Sequence, residues 1–365
     1  MADAAIARLR LLRTSGIGPV TYRQLTNRYG TADAALDAVP FLARNGGGRP
    51  PRIADVATIE REMAAVARLG AHYLFHDDPR YPGLLAAIDT APPALIVRGD
   101  VALATRPCVA VVGARNASAA ACRFARQLAL DLSREAVIVS GLARGIDTAA
   151  HVGALPATIG VIAGGIDIAY PPENAAVQER IAREGLLVAE QPPGTEPRAR
   201  HFPYRNRIIA GLSLGTVVVE AVPRSGSLIT ARLAGEMGRE VMAVPGSPLD
   251  PRAQGCNLLI RDGAVLVQTA ADVFEQVRPI DPHAVRAPVT PYLDQPPVDA
   301  APSPDEVADD DRHAVAALLG PVPVPVDELV RQSGRPAAIV QIVLLELELA
   351  GRLDRHAGGR VAFTS

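Results

Sequence analysis

The segment from Pro197 to Arg207 combines positive charge with aromatic rings. It reads PRARHFPYRNR and contains four arginines, two aromatic residues and one histidine, without an acidic residue. Guanidinium groups neutralise phosphates, and unpaired bases stack on aromatic faces. The composition of this segment therefore favours contact with a single-stranded polynucleotide. The alternative is an Arg-rich loop that is solvated on one side, with Phe202 and Tyr204 packed in the core.

Glycine-containing turns are the second chemical feature of the chain. Each of four turns follows a short apolar run, and Arg115 and Arg144 lie within two of them. Small residues let backbone N–H groups approach an anion, and a helix that begins at such a turn favours negative charge there. Because tight turns also need glycine for steric reasons, the set of four is stronger evidence for anion binding than any single turn. The turns are Gly113–Asn116, Ser140–Gly145, Gly164–Asp167 and Arg224–Ser227.

Seven short runs that are apolar throughout separate these turns. Strands that are buried on both faces have this pattern, and helix-like segments lie between most of the runs. The sequence therefore predicts an α/β fold: an extended Rossmann-type parallel sheet with helices on both sides, over about residues 80–278. Ligands bind such sheets beyond the carboxyl ends of the strands, where these turns would converge. The runs are Val109–Val112, Val137–Ser140, Thr158–Ala163, Leu186–Ala189, Thr216–Glu220, Val241–Val244 and Val265–Val267.

The chain before the sheet is predicted to be helical. Apolar residues recur at helical spacing over residues 5–42, and a further helix is expected from about Ile59 to Leu69. We assign residues 1–75 to a helical domain. The turn Thr14–Pro19 within it resembles a helix-hairpin-helix, and it could either hold a DNA phosphate or simply connect two helices.

The chain after the sheet divides into a linker and a small domain. Eight prolines occur between Gln276 and Arg312, which indicates a linker over residues 279–312. Three helical patterns and a hairpin then follow in the order of a winged-helix domain over residues 313–365. The third helix carries Glu346 and Glu348 without an arginine, which disfavours major-groove reading and favours contact with a partner or a reduced role in DNA binding. The patterns are Val315–Leu319, Asp327–Gln332, Ala337–Ala350 and the hairpin Leu353–Phe363.

The basic residues narrow the possible chemistry. All 37 are arginines, and the chain contains no lysine. A Walker A loop, a Schiff-base enzyme and a protein kinase each need a lysine, so these chemistries are excluded. The fingerprint G-x-G-x-x-G is also absent, which argues against a dinucleotide, and we expect no cofactor. A mononucleotide would occupy one or two of the turns, whereas a polynucleotide could use all of them.

Net charge and cysteine content indicate an ordinary intracellular protein. The net charge is −2, so a nucleic-acid surface must come from a local concentration of arginine. Cys108, Cys122 and Cys256 form no C-x-x-C pair, so we interpret them as packing residues and expect no metal site. The longest uncharged run, Val152–Ile166, is too short to span a membrane, and no secretory signal is present. We expect a cytoplasmic protein without membrane contact.

Six motifs in the right order resemble the DNA-processing protein A family, also called DprA or Smf. The resemblance implies a small helical SAM-like domain, a Rossmann domain and a winged helix. It also implies binding of single-stranded DNA without sequence preference, and loading of the RecA recombinase onto that DNA during natural transformation. No reaction and no catalytic residue are implied. The motifs are Val111–Arg115, Ser140–Asp147 with Ala150-His151, Tyr170–Asn174, Phe202–Ser213, Ser225–Ala231 and Gly255–Asn257.

The family's motifs map onto a specific set of residues in this chain. Arg115 and the arginine-rich segment with Phe202 would make the main DNA contacts, and glycines with Ser227 would shape a cradle of backbone amides. The family is typically dimeric, and we expect the dimer interface near residues 255–270. The implied DNA-binding residues are Gly113, Arg115, Gly141, Arg144, Gly145, Arg198, Arg200, Phe202, Arg205, Asn206, Arg207, Ser225, Gly226 and Ser227.

Two positions depart from the family's pattern. A lysine often precedes the Phe-Pro motif, and here only Arg198 or Arg200 can supply that charge. Many members also have a serine before the first arginine and an aromatic-glycine pair after it, where this chain has Ala114 and Ala120-Ala121.

Two other functions compete with DNA binding. A related Rossmann group cleaves nucleoside monophosphates to base and ribose phosphate, and Glu220 with the turn Ser225–Ser227 could imitate that site. The chain lacks that group's glycine-rich turn, and no paired carboxylates are placed for acid and base catalysis. The other alternative is a structural or regulatory module whose arginine loop binds an acidic protein.

Overall fold

A computed structural model describes residues 2–277, 307–356 and 358–364. The predicted linker 279–312 therefore lies outside the described residues up to position 306. The chain forms two compact units. The larger unit begins at Glu62 and contains a large sheet, and the smaller unit combines the residues up to Arg61 with the C-terminal residues.

Between Cys108 and Val277, strands and α-helices alternate along the chain. Strands are β1 (His72–Phe75), β2 (Ala94–Gly99), β3 (Cys108–Gly113), β4 (Val137–Ser140), β5 (Thr158–Gly165), β6 (Leu186–Gln191), β7 (Gly215–Val219), β8 (Glu240–Ala243), β9 (Val265–Leu266), β10 (Val324–Pro325), β11 (Leu353–His356) and β12 (Arg360–Phe363). Helices are α1 (Ala2–Arg13), α2 (Pro19–Tyr29), α3 (Ala32–Asn45), α4 (Val56–Arg68), α5 (Gly83–Ala86), α6 (Ala119–Leu132), α7 (Ile146–Ala154), α8 (Ala175–Glu184), α9 (His201–Leu212), α10 (Gly226–Glu236), α11 (Gln254–Arg261), α12 (Ala270–Val277), α13 (Asp309–Ala316), α14 (Val326–Ser333) and α15 (Ala337–Leu349).

The predicted parallel sheet is confirmed. Its strand order is β1-β2-β6-β5-β4-β3-β7-β8-β9, and the neighbouring strands from β6 to β9 in this order are all parallel. Each of these seven strands coincides with one of the predicted apolar runs to within two residues. The apolar pattern was sufficient because both faces of the sheet are covered. Val109 and Val111 of β3 pack beneath α6, and Ala110 and Val112 pack beneath α9.

Two strands of the large sheet were not predicted from the sequence. β2 pairs antiparallel with β6, and β1 pairs antiparallel with β2, so both lie at one edge of the sheet. Ala94–Val97 of β2 is apolar throughout and buried, like the predicted runs, but no α-helix separates β2 from β3, so β1 and β2 stand outside the β-α alternation on which the prediction rested. The sheet thus begins at His72, within the range 1–75 that sequence analysis gave to the helical domain.

The centre of the sheet contains a change in chain direction. β3, β4, β5 and β6 follow one another towards one edge, whereas β7, β8 and β9 continue from β3 towards the other. The chain segments after β3 and β7 therefore diverge at neighbouring strands. A crevice is expected at this point, beyond the carboxyl ends of the two strands.

The smaller unit contains the predicted N-terminal helices and the winged helix. The helices α1, α2 and α3 pack around a core of their own that includes Leu11, Leu25 and Leu42. At the other end of the chain, α13, α14 and α15 are followed by the hairpin of β11 and β12, and β10 completes a three-stranded sheet. The helix α13 begins at Asp309, earlier than expected, because three aspartates in its first turn favour the positive end of the helix dipole. No helix among the described residues could cross a membrane.

Candidate nucleic-acid interface

A cavity of about 600 Å³ lies at the crevice between β3 and β7. Three arginines line it, Arg115, Arg205 and Arg252, against a single carboxylate, Asp147. The lining therefore has an excess of positive charge. The remaining residues come from the end of β3 and the turn after it, the turn after β4, α9, and the segment from the end of β7 into α10: Val112, Gly113, Ala114, Asn116, Ala143, Phe202, Pro203, Asn206, Ile209, Val222, Ser225, Gly226, Ser227, Ile229 and Thr230.

Phe202 is the centre of a group of rings and guanidinium groups. The Cζ atom of Arg115 lies 5.2 Å from the ring centroid, and that of Arg205 lies 5.9 Å from it. Both distances allow cation–π attraction, which holds the two guanidinium groups beside the ring. The ring of Tyr170, in the loop after β5, lies 5.7 Å from Phe202 at an interplanar angle of 54°. Arg115 and Tyr170 are exposed and Phe202 is half-buried, so this group presents both charge and aromatic surface to solvent.

Arg205 lies buried beneath the cavity and opposite a buried acid. Asp147, in the first turn of α7, accepts hydrogen bonds from the backbone N–H of Gly141 and Ala143 at 3.2 and 3.3 Å. Burial raises the pKa of Asp147, whereas Arg205 opposes that rise. Burial lowers the pKa of Arg205 to about 10, and Asp147 counteracts it. Arg205 remains a cation at neutral pH and contributes positive charge beneath the cavity, next to the carboxyl group of Asp147.

Glycines let the turns at this edge approach one another. A Cβ atom at Gly141 would lie 1.3 Å from Nη1 of Arg205, so the guanidinium occupies the space of the missing side chain. A Cβ at Gly113 would lie 1.9 Å from the carbonyl oxygen of Val219 on β7. Gly145 has φ +75°, and a Cβ there would lie 2.3 Å from the carbonyl oxygen of Ala114. These three glycines are explained by close packing of the turns that form the site.

The start of α10 supplies backbone donors to the cavity. Ser225 occupies the N-cap position of the helix without a side-chain capping hydrogen bond, and its Oγ lies 2.5 Å from Oγ of Ser227. The first N–H groups of a helix have no acceptor within the helix, so this end of α10 offers donors and the positive end of the dipole. A Cβ at Gly226 would meet nothing within 4 Å, which leaves the turn open. Asn206 of α9 holds this turn in place, because its Nδ2 donates to the carbonyl of Gly226 at 3.3 Å.

The structure brings eight of the predicted site residues together at the cavity and places six elsewhere. The eight are Gly113, Arg115, Phe202, Arg205, Asn206, Ser225, Gly226 and Ser227. Gly141 and Gly145 lie directly behind the lining. Arg144 is exposed and paired with Glu173, and Arg207 is buried with its Nη2 2.5 Å from Glu190. Arg198 and Arg200 are exposed in the loop before α9, outside the cavity lining.

Three charged or aromatic residues of the site were not among those predicted. Tyr170 and Asp147 lie within motifs that sequence analysis had singled out, but their types alone did not show that they face this crevice. Arg252 reaches the cavity from the segment after β8 and pairs with Asp250 at 2.9 Å. Its position follows from the order of β7 and β8 in the sheet, for which the sequence gives no local signal.

Glu220, the acid that the enzyme alternative needed, is engaged elsewhere. Its carboxylate accepts hydrogen bonds from the backbone N–H and from the hydroxyl of Ser118, at 2.8 and 2.6 Å. Ser118 is the residue that caps α6. Glu220 therefore joins the end of β7 to the start of α6, and its side chain does not line the cavity.

The fold and the site define a Rossmann-type α/β protein with a cationic crevice at its switch point, accompanied by a helical domain and a winged helix. The family model described as DNA recombination-mediator protein A matches residues 72–278. A DprA-like N-terminal HHH domain matches residues 2–65, and a DprA winged helix domain matches residues 298–359. The chain belongs to the DNA recombination-mediator protein A family.

Several relatives and solved structures are similar to this chain. It is 47% identical to DNA processing protein DprA of Streptococcus pneumoniae over 202 residues, which cover 54% of this chain and 72% of the relative. It is 37% identical to protein Smf of Escherichia coli over 310 residues, covering 83% and 80% of the two chains. The structure of the S. pneumoniae protein matches with a TM-score of 0.58 at 43% identity, over 61% of this chain and 78% of that one. A structure of DNA processing protein A from Helicobacter pylori, described for its single-stranded DNA binding mode, matches with a TM-score of 0.52 at 30% identity, over 56% and 94%.

Proposed function

We propose that this chain binds single-stranded DNA without sequence preference at the crevice between β3 and β7, and loads RecA onto that DNA during recombination. The observation that carries the proposal is the group formed by Arg115, Phe202 and Tyr170. It combines an exposed guanidinium with two aromatic rings on a lining that has three arginines and one carboxylate. Unpaired bases expose faces that can stack on such rings, whereas paired bases do not.

Some residues of the site would contact the DNA, and the others would hold those residues in position. Arg115 neutralises a phosphate, and the backbone amides of Gly226 and Ser227 hold another, whereas the N–H of Ser225 donates to the carbonyl of Val222 at 3.1 Å. Arg198 and Arg200, exposed before α9, extend the positive path along the strand. The other residues hold these contacts in place, because they are buried, paired or packed: Gly113, Gly141, Arg144, Gly145, Arg205, Asn206 and Arg207.

Phosphate and stacking contacts carry no base identity, so binding would be tolerant of sequence. RecA loading is inferred from the family, whose description is that of a recombination mediator. We place the surface of a homodimer near residues 255–270, where Leu258 and Leu266 are exposed apolar side chains. RecA loading is tested by the rate at which RecA begins ATP hydrolysis on DNA that is precoated with a single-strand-binding protein.

The binding site is tested by titrating labelled single-stranded and duplex oligonucleotides at two salt concentrations. We expect preference for the single strand and a slope of log affinity against log salt of roughly 0.7 per phosphate neutralised. Arg115→Ala should weaken binding to all sequences equally and reduce that slope by about 0.7. Arg134→Ala is the matched control, since Arg134 is also exposed but lies just before β4, at the amino-terminal ends of the parallel strands and away from the crevice.

Two results would count against this function. Equal affinity for duplex, or an unchanged slope in Arg115→Ala, would remove the crevice from the DNA path. Release of free base from nucleoside monophosphates would instead favour the enzyme alternative, and none is expected because Glu220 is bound to Ser118.

A further inference from the structure

The third helix of the winged-helix domain is apolar on two faces. On one face Val343 and Leu347 pack into the core of the winged-helix domain itself. On the other face Leu345 and Leu349 belong to the core of the N-terminal helices, together with Leu11, Val39 and Leu42 of α1 and α3. Leu345 and Leu349 are each only 3% exposed. A helix with two apolar faces needs both of them covered, and here the N-terminal helices cover the face of α15 that carries Leu345 and Leu349.

Backbone contact is made by a run of three glycines after α3. A Cβ at Gly46 would lie 2.1 Å from the carbonyl oxygen of Glu346, and a Cβ at Gly48 would lie 2.3 Å from that of Ala350. Gly46 has φ −70°, so its conformation suits any residue and only the contact with α15 requires glycine. The absence of side chains at Gly46 and Gly48 therefore allows this segment to pack against the backbone at the end of α15.

Polar groups complete the same interface. Thr21 of α2 donates to Oε1 of Glu348 at 2.7 Å, and Nδ2 of Asn45 donates to Oε1 of Glu346 at 3.1 Å. The side-chain amides of Gln24 and Gln341 are joined at 3.0 Å. The two glutamates thus have hydrogen-bond partners in the N-terminal helices. Each also pairs with an arginine of its own domain, Glu346 with Arg312 and Glu348 with Arg355.

We propose that α15 is the docking helix for the N-terminal helical domain of the same chain and does not read duplex DNA. In a winged-helix order the third helix is the one that would enter the major groove, and it would do so with exposed side chains that can donate to base edges. The face of α15 around Leu345, Glu346 and Glu348 is buried, acidic and occupied by α1–α3. This inference concerns a surface separate from the crevice and does not depend on the proposed function.

Docking is tested in the full-length protein by cross-linking. The paired variant Gln24→Cys with Gln341→Cys is treated with a short bifunctional maleimide, and each single variant serves as a control for the native cysteines. We expect one intramolecular cross-link in the pair, read by intact mass. Adding Gly46→Ala should reduce its yield about tenfold, because the new methyl group collides with Glu346. Gly320→Ala, at a glycine of the winged-helix domain with nothing within 4 Å, should leave the yield unchanged.

Duplex binding by the same variants distinguishes a helix that only docks the N-terminal helices from a DNA-reading helix that those helices cover. Unchanged affinity for duplex in Gly46→Ala, with reduced cross-linking, supports a helix that serves only for docking. A gain in duplex affinity would overturn the inference, since α15 would then be a DNA-reading helix that the N-terminal domain covers. Failure of the pair to cross-link in the unaltered background would overturn it as well. If Gly46→Ala does not fold, Thr21→Val, which removes only the hydrogen bond to Glu348, takes its place.

Discussion

Phe202 contacts two guanidinium groups and one aromatic ring, and these contacts leave two possible roles for its side chain, packing and base stacking. The guanidinium groups of Arg115 and Arg205 are held beside its ring, and Tyr170 packs at an angle to it. Sequence analysis left two possibilities for Phe202, a platform for bases or a core residue. The ring is half-buried, so part of its surface is free for a ligand while the rest is packed.

We predict that Phe202→Ala weakens binding of single-stranded DNA by about tenfold to a hundredfold. Loss of a stacking ring costs ~1–3 kcal/mol per base, and the variant would also release the guanidinium of Arg115. The measurement is an oligonucleotide titration beside a thermal unfolding curve. Tyr204→Ala is the comparison, because Tyr204 lies in the same helix with its side chain 58% exposed. Unchanged affinity with a lower melting temperature would assign Phe202 to packing alone.

At the scale of elements, the turn after β4 is built around a guanidinium group. Sequence analysis grouped Gly141 with glycines that admit an anion. The structure gives it a different neighbour: the missing side chain makes room for Nη1 of Arg205, and its N–H binds Asp147. The turn after β4 is thereby fixed to α7 through Asp147 and fitted against α9 through Arg205.

We predict that Gly141→Ala lowers the free energy of unfolding by ~1–3 kcal/mol or more, because the new methyl group overlaps the Arg205 guanidinium. DNA affinity should fall as well, since Arg205 would no longer support Phe202. Urea denaturation and an oligonucleotide titration measure the two effects. Gly83→Ala is the control, since a Cβ at Gly83 meets nothing within 4 Å. Equal stability of the two variants would show that Arg205 lies elsewhere in solution.

For the whole molecule, buried histidines make the free energy of unfolding depend on pH. His151 of α7 is fully buried and hydrogen-bonded through Nδ1 to Oγ1 of Thr158 at 2.8 Å. Burial, with a smaller effect of Arg205, lowers its pKa from 6.5 to about 3. Because the folded state resists protonation, the unfolded state binds more protons between these two pH values. Stability is then complete above pH 6.5 and is lost as the pH falls towards 3.

We predict that the free energy of unfolding falls between pH 7 and pH 5 by at most ~1.4 kcal/mol per pH unit for His151, and that His151→Asn reduces this slope. The slopes are compared by urea denaturation, so a change in absolute stability does not affect the result. His313→Asn, at an exposed position, should leave the slope unchanged. The assignment fails if both variants have the slope of the unaltered protein. Burial also lowers the pKa values of His72 and His201, so these two histidines add to the pH dependence in the same direction.

The sequence by itself determined the parallel core of the sheet and the components of the site. Seven apolar runs became seven parallel strands because a strand buried on both faces must be apolar throughout, which is a local property. The turns after β3 and β7, with Arg115 and Ser225–Ser227, could be located for the same reason. Two antiparallel strands were missed: β1 is only four residues long and mostly not buried, and β2, although apolar from Ala94 to Val97, lies outside the β-α alternation.

Only the tertiary structure decided which charges face the crevice and which face one another. Arg205 and Arg207 are two residues apart on α9, yet one lines the cavity above Asp147 and the other pairs with Glu190. It also decided that Glu346 and Glu348 face the N-terminal helices, more than 300 residues earlier in the chain. Local sequence fixes the type and spacing of side chains, but the partner of a charge is set by elements that meet only after the chain has folded.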